Sequence, residues 1–344
     1  MARGTRSALQ LTRREVHDAV SVREGVLQCT ACMSEFPIID GIPVLVADAR
    51  ASIAANHAAF SRRADLCDVV DGMLAECAGP GSWDLVTMQH VSGAAWDHYA
   101  EFDPDEKDGE WKPGQIGRVM KIAGDAGAIV KGGPSLDVGC GAGRSSFEIA
   151  AASGGLVLGI DMHVGTLRLA QRVLHESRVS YLRRSLGMLY ERRAFDVTLE
   201  GRDRVDFWMM DALNPCVGTD DAGVGTLANV VALNVLDCVT SPLGLLQRMV
   251  GVLRGGGKLT VATPFDWSAG VTPVEAWIGG HSPRGFAAGQ SDELLVKLLT
   301  PGGHVASIAG VEVEKDLRQV AWQVRVHERS LMRYVLQMVV ARKS

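Results

Sequence analysis

The sequence predicts an α/β fold: a mostly parallel sheet of seven strands with helices on both faces, preceded by a small N-terminal β-hairpin module. Three observations predict it. The chain has 344 residues, more than the ~250 to 300 at which single cores stop growing, so one large domain with a smaller appendage is expected. From Ser135 onward short apolar segments alternate with amphipathic ones, the pattern of parallel strands joined by helices. Where the first of these strands ends, the chain runs through a glycine-rich turn, Gly139-Cys140-Gly141-Ala142-Gly143.

The elements follow in order. Apolar segments flank Asp40-Gly41 between Val26 and Val46, and that dipeptide suits a tight hairpin turn, which sets a module over residues 1–50. Ala51 to Ala78 is alanine-rich and ends at the breakers Gly79-Pro80-Gly81, so one or two helices are expected in a connector or lid over 51–114. Trp96 to Pro113 is acidic and aromatic, with Trp96, His98, Tyr99, Phe102 and Trp111; it reads as a helix face packed on the core or as part of a substrate lid. A helix is expected over 115–126, opening a catalytic domain over 115–344. Strands are expected near 135–138, 156–160, 206–210, 228–234 and 258–263, with two more around 304–313 and 331–341. The long connection from Ser177 to Val205 carries seven arginines, read as the solvated face of a surface excursion.

Composition narrows the function. Apolar residues make up 47% and charged residues 22%, as in ordinary globular chains, so disorder is not indicated. The net charge is −5, with no basic run to gather phosphates, and a nucleic-acid partner is not expected. Met1 to Glu15 has four arginines and no apolar stretch, unlike a secretory leader, and no apolar run reaches the ~18 to 20 residues of a membrane helix. A cytoplasmic protein acting on a small molecule is the expectation; a homodimer is left open. Of seven cysteines only Cys29 and Cys32 have a suggestive spacing, and free thiols are expected.

Leu136-Asp137-Val138-Gly139-Cys140-Gly141-Ala142-Gly143-Arg144 carries the strongest chemical signal. Glycines there admit a ligand close to the backbone, and the following helix start offers free N–H groups and a positive dipole end to an anion. A dinucleotide fingerprint needs glycine at 144, where Arg144 stands. The acid two positions before the first glycine suits a ligand with an ammonium instead. The second strand ends in Asp161, placed to accept from two ribose hydroxyls, and the third ends in Asp211-Ala212, placed for an adenine amino group and ring nitrogen. One such aspartate reads equally as a helix cap. Three at successive strand ends point to one ligand.

These residues resemble the class I methyltransferases, with their Rossmann-like sheet, from about Gly133 to the C-terminus. The resemblance implies S-adenosyl-L-methionine as cofactor, held by Asp137, Gly139, Gly141, Asp161, Asp211 and Ala212, with Arg144, Met162 and Asn234 completing the expected set. DNA amino-methyltransferases carry a Pro-Pro motif after strand four; Asn234-Val235-Leu236-Asp237 stands here instead. A narrower resemblance runs through Gly143 to Glu148, Asn234 to Asp237, Thr263-Pro264-Phe265-Asp266-Trp267, Thr272-Pro273, Trp277 to Gly280 and the cluster Arg325 to Arg329. It is similar to the mercaptohistidine N-methyltransferase domain of ovothiol biosynthesis enzymes, although the iron-dependent sulfoxide synthase region of those enzymes is missing. It implies N-methylation of a histidine-like or other amino-acid-derived acceptor.

On that reading Asn234, Phe265, Trp267, Trp277 and Glu328 contact the acceptor, the tryptophans serving as core packing or as walls of an imidazole pocket. Asp237, Asp266, His327 and Tyr99 are candidates to hold the ring N–H or take the surplus proton, with His98 as a lid contributor. The N-terminal hairpin resembles small zinc-ribbon proteins that accompany some tRNA and protein methyltransferases, in Cys29-X-X-Cys32 and Phe36 to Leu45. Zinc wants four ligands and only one cysteine pair is present, so no metal is expected. Two other classes stay open, a macromolecular methyltransferase docking through the ribbon-like segment and a cofactor-binding regulator without catalysis.

Overall fold

The computed structural model describes residues 8–18, 21–61, 70, 73–74, 77–79, 81–106, 110–220, 223 and 225–344. Cys67 and much of the expected helical stretch between 62 and 80 lie outside the described residues. Four strands come first, β1 (Leu9–His17), β2 (Val22–Cys29), β3 (Glu35–Ile39) and β4 (Ile42–Leu45), followed by the short helices α1 (Ala49–Ala55) and α2 (His57–Ser61). Then come α3 (Trp83–Tyr99), α4 (Gln115–Asp125), β5 (Ser135–Val138), α5 (Arg144–Ser153), β6 (Val157–Asp161) and α6 (Val164–Glu176). A hairpin of β7 (Arg178–Leu186) and β8 (Leu189–Asp196) precedes β9 (Val205–Met210), β10 (Leu227–Leu233), α7 (Pro242–Val252) and β11 (Leu253–Thr263). The chain closes with α8 (Ser291–Leu298), β12 (Val311–His327) and β13 (Ser330–Lys343).

Seven strands form the centre of the sheet in the order β9-β6-β5-β10-β11-β13-β12, all parallel except β13, which runs antiparallel to both neighbours. The apolar runs that made these strands legible are buried on both faces, as parallel strands require. Helices α3 to α6 cover one face, around Tyr99, Phe147 and Phe207, and α7 and α8 cover the other, around Leu245 and Leu295.

The count of seven is corrected to eleven. Strands β1 to β4 form an antiparallel meander, and β4 pairs in parallel with β9 through Val44↔Met209 and Leu45↔Met210. The hairpin segment therefore extends the main sheet. The physical reason is the open edge of β9, whose backbone groups would otherwise face solvent. Ile42 and Val44 are fully buried there, and Arg168 and Gln171 of α6 bond to Asp40 and to the Gly41 carbonyl at 2.6 and 3.1 Å. Asp40 and Gly41 both have positive φ, 53° and 81°, the conformation a two-residue hairpin turn needs.

Two further expectations are corrected. The strand placed at 304–313 begins at Val311 and runs to His327, because residues 301–310 form turns and its hydrogen-bonding partner is the long β13. The arginines of 177–205 are more than a solvated face. Arg183 bonds Glu106 at 2.6 Å and Arg193 bonds Asp103 at 2.5 Å, both arginines largely covered, so the β7–β8 hairpin is clamped onto the segment after α3. Among the described residues no helix is long and apolar enough to cross a membrane.

Candidate functional site

The carboxyl ends of β5, β6 and β9 lie side by side, and the sheet order brings Asp137, Asp161 and Asp211 to one rim. Gly139 (φ 67°) starts the turn after β5, and a Cβ there would stand 2.3 Å from the Val235 side chain, so only glycine fits. Asp137 is buried and accepts from the Ser145 and Ser146 hydroxyls, each at 2.6 Å. Burial pushes its carboxyl up to about 6, against the pull of those two hydroxyls, with the nearby Asp161 charge adding to the rise. Asp161 accepts the N–H of Gly141 at 2.9 Å and of His163 at 2.8 Å, and burial raises its pKa as well. Those bonds fix the carboxylate and leave it lone pairs for hydroxyl donors. Met162 beside it is half exposed at the rim. Asp211 caps its own turn through Leu213 N at 2.9 Å and Asn214 Nδ2 at 3.1 Å, with Ala212 half-buried next to it. A glycine-lined cradle flanked by acids at three strand ends fits a ligand with an ammonium, ribose hydroxyls and an adenine.

Two expected contributors have other work. The Arg144 guanidinium bonds Glu148 at 2.7 Å, Glu101 at 2.6 Å and the His98 carbonyl at 3.2 Å, and it lies 4.7 Å over the Phe102 ring. The structure places this cation among protein partners on α3, the 3-10 turn that follows it (Ala100–Phe102) and α5. Tyr99 is fully buried and donates its hydroxyl to the Ala142 carbonyl at 2.6 Å, so it holds the glycine-rich turn in place. One amide at the start of α5 is already engaged: the Arg144 N–H donates to His98 Nδ1 at 3.1 Å.

A second cluster lies at the ends of β10 and β11. Asn234 and Phe265 terminate these adjacent strands with φ of 58° and 56°, left-handed conformations that cost a non-glycine residue about 1 kcal/mol or more and concentrate at functional sites. Asn234 N donates to Ala262 O at 2.7 Å, and Phe265 N to Thr263 Oγ1 at 3.0 Å. Asp237 follows in a 3-10 turn, buried, and accepts the Asp266 N–H at 2.6 Å. Burial raises its pKa, with the Asp266 charge acting in the same direction. Thr272 Oγ1 lies 3.1 Å from the Asp237 carbonyl and 2.7 Å from that of Val239, and Trp277 Nε1 donates to the Thr272 carbonyl at 2.9 Å. Trp267 stacks on Trp277 at 5.8 Å with 13° between planes, and Phe265 stands 6.1 Å from Trp267. Asn234, Asp237, Phe265, Asp266, Trp267 and Trp277 are thus gathered at one place.

His327 and Glu328 are not gathered there. They lie at the end of β12 and in the turn to β13, where His327 Nδ1 accepts from Arg329 N and Glu328 bonds Ser185 of the β7–β8 hairpin at 2.9 Å. Sequence reasoning missed Tyr334 of β13, whose hydroxyl bonds Asp266 and is pushed up to about 12, chiefly by burial. It also missed the buried pair of Asp97 and Trp322. Trp322 Nε1 donates to Asp97 Oδ2 at 2.8 Å, Asp97 Oδ1 has no partner among the described residues, and burial holds that carboxyl well above the usual range. Among the described residues no group of three or more His, Cys, Asp or Glu is arranged to hold a metal.

Residues 129–278 match the family model described as a methyltransferase domain. No curated protein sequence matches the chain. Several solved structures are similar. Phosphoethanolamine N-methyltransferase 2 of Haemonchus contortus, bound to phosphomonomethylethanolamine and S-adenosylhomocysteine, is 18% identical with a TM-score of 0.31, over 43% of this chain. The chain spans only 28% of the length of that enzyme. The [4+2]-cyclase SpnF is 17% identical with a TM-score of 0.45, over 79% of this chain and 96% of its own. Magnesium protoporphyrin IX methyltransferase of Synechocystis PCC 6803, with bound S-adenosylhomocysteine, is 16% identical with a TM-score of 0.41, over 75% of this chain and 99% of its own.

Proposed function

With residues 129–278 a methyltransferase domain and S-adenosylmethionine its methyl donor, we propose that this chain methylates a nitrogen of a small acceptor, histidine-like or otherwise derived from an amino acid. The observation that carries the reading is the acidic and aromatic cluster at the ends of β10 and β11, where Asp237 and Asp266 meet Phe265, Trp267 and Trp277. Nitrogen acceptors bring N–H bonds and, once methylated, a positive charge. Carboxylates accept the first and offset the second, while aromatic faces favour a cationic or ring-shaped guest.

When bound, S-adenosylmethionine supplies a methyl group activated by a sulfonium. The chain's own contribution is alignment, which is worth up to roughly 7 to 11 kcal/mol in favourable cases. Asp137 answers an ammonium, Asp161 two ribose hydroxyls, and Asp211 with Ala212 an adenine edge. Asp237 is fixed by the Asp266 N–H and Asp266 by the Tyr334 hydroxyl. An acceptor N–H donated to this pair has its proton taken as the new C–N bond forms, and a carboxyl whose pKa is raised by burial is the stronger base for it.

The test is an assay with histidine, its thiol derivatives and related small amines, using mass spectrometry to locate the added methyl. Turnover of one of them, lost in Asp237→Asn with cofactor binding retained, is the expected result. Failure of all of them, while an RNA or protein from the source cell is methylated, overturns the reading.

A further inference from the structure

Helix α3 ends over the glycine-rich turn, and His98 in its last turn reaches the start of α5. His98 Nδ1 accepts the Arg144 N–H at 3.1 Å. Burial first, then the Arg144 and His90 charges, lower the imidazole from 6.5 to about 3, so the ring is neutral. A neutral imidazole carries one N–H, and with Nδ1 accepting, the hydrogen belongs to Nε2. His98 is only 6% exposed, and its bonds to the described residues run through Nδ1 and its carbonyl, none through Nε2. Nε2 stands 3.1 Å from where a side chain on Gly141 would begin, over the turn whose own amide binds Asp161. The ring is largely buried, and the one ring N–H that no described residue accepts is aimed into the cradle described above.

We propose that His98 Nε2–H donates to the carboxylate at the amino-acid end of S-adenosylmethionine. Of the groups on that molecule, the ammonium has no lone pair to accept a hydrogen bond, and the ribose hydroxyls, which can accept as well as donate, are neutral and belong on this reading beside Asp161. The carboxylate remains as the charged acceptor. Its charge also suits the position: the α5 N-terminus carries roughly half a positive charge, and the imidazole, bonded in series with the Arg144 N–H, passes that polarisation to Nε2. In place of a bare helix start, the chain presents the helix's positive end through a ring belonging to the helix that covers the site. The proposal rests on the cofactor half of the function above and is independent of the acceptor.

The experiment measures calorimetric binding of S-adenosylhomocysteine and of its decarboxylated analogue, which keeps the adenosine, thioether and amine. The wild-type protein is expected to prefer the first by roughly 10- to 100-fold, the range of one charge-assisted hydrogen bond. His98→Phe is expected to erase that preference while binding the decarboxylated analogue as before, which also shows that the variant is folded. His98→Gln, which retains a donor, should restore most of the preference. On the wild-type protein, nitrogen-15 NMR should find the hydrogen on Nε2 and a downfield shift of that proton with S-adenosylhomocysteine only. If His98→Phe weakens both ligands equally or neither, the proposal is overturned. If neither ligand binds wild-type protein, the cofactor reading itself falls.

Discussion

Replacing Asp137 with asparagine should stabilise the ligand-free protein and cripple its binding of cofactor. Asp137 is 1% exposed and its carboxyl is pushed from 3.8 up to about 6. At 1.36 kcal/mol per pKa unit, holding it ionised at neutral pH costs the fold about 3 kcal/mol relative to a neutral isostere. The sign follows from the raised value. Well below pH 3.8 the carboxyl is protonated in both folded and unfolded chains and imposes no penalty. As pH rises through the unfolded pKa toward 6, the unfolded chain gives up its proton first, and native stability falls. Asparagine has no such titration, and its carbonyl still accepts from Ser145 or Ser146. Urea denaturation of wild type and Asp137→Asn should therefore give similar stabilities near pH 4, and a variant more stable by about 3 kcal/mol above pH 7. The comparison between the two proteins removes the contribution of buried acids that do not interact with Asp137, such as Asp97. Calorimetry of the same variant should show S-adenosylmethionine binding weakened by an order of magnitude or more, the loss of a charged acceptor for its ammonium. A stability difference that does not change between pH 4 and pH 7, or a variant less stable than wild type at pH 7, would refute the reasoning.

Two further outcomes can be measured alongside. Asp161→Ala removes the carboxylate proposed above to accept two ribose hydroxyls, each bond worth about 1.5 to 3 kcal/mol, so S-adenosylmethionine affinity should fall at least 100-fold by calorimetry; unchanged affinity would place the cofactor elsewhere. Tyr99→Phe leaves the Ala142 carbonyl without its 2.6 Å donor, and the folded state should lose about 1 to 3 kcal/mol in chemical denaturation. An undisturbed midpoint would mean that the hydroxyl contributes nothing to holding the turn.

The legible parts of this protein are those set by local pattern. The central strands declare themselves as apolar runs, and the strand ends declare Asp137, Asp161 and Asp211 by position alone. The Asp40-Gly41 turn is equally local, whereas the parallel pairing of β4 with β9 depends on which edge of the finished sheet is bare. Strand β12 alternates apolar and polar residues at Val311 and Val313 and again at Val320, Trp322 and Val324, but the charged stretch from Glu314 to Arg318 interrupts the pattern between them, so its full length is not legible. The site shows the same division. Arg144 was legible as a position, but Glu101 and His98, which determine where its side chain and its N–H go, come from another segment. Tyr334 meets Asp266 only because β13 runs antiparallel beside β11, and nothing near either residue announces it.

The pairing of β4 with β9 also governs the order in which the chain can assemble. During synthesis β1 to β4 emerge first, while β9, the strand they close against, and α6, whose Arg168 and Gln171 fasten the turn at Asp40, emerge far later. Until then Ile42 and Val44 have no core to enter, and the N-terminal meander remains a small ribbon with its apolar side in water. Such long-range pairing comes late, because the intervening chain must first be ordered before the contact is rewarded. The strands β1 to β4 are therefore made before the sheet they join and placed after it, and in that interval the exposed ribbon is a surface on which a chaperone has reason to act.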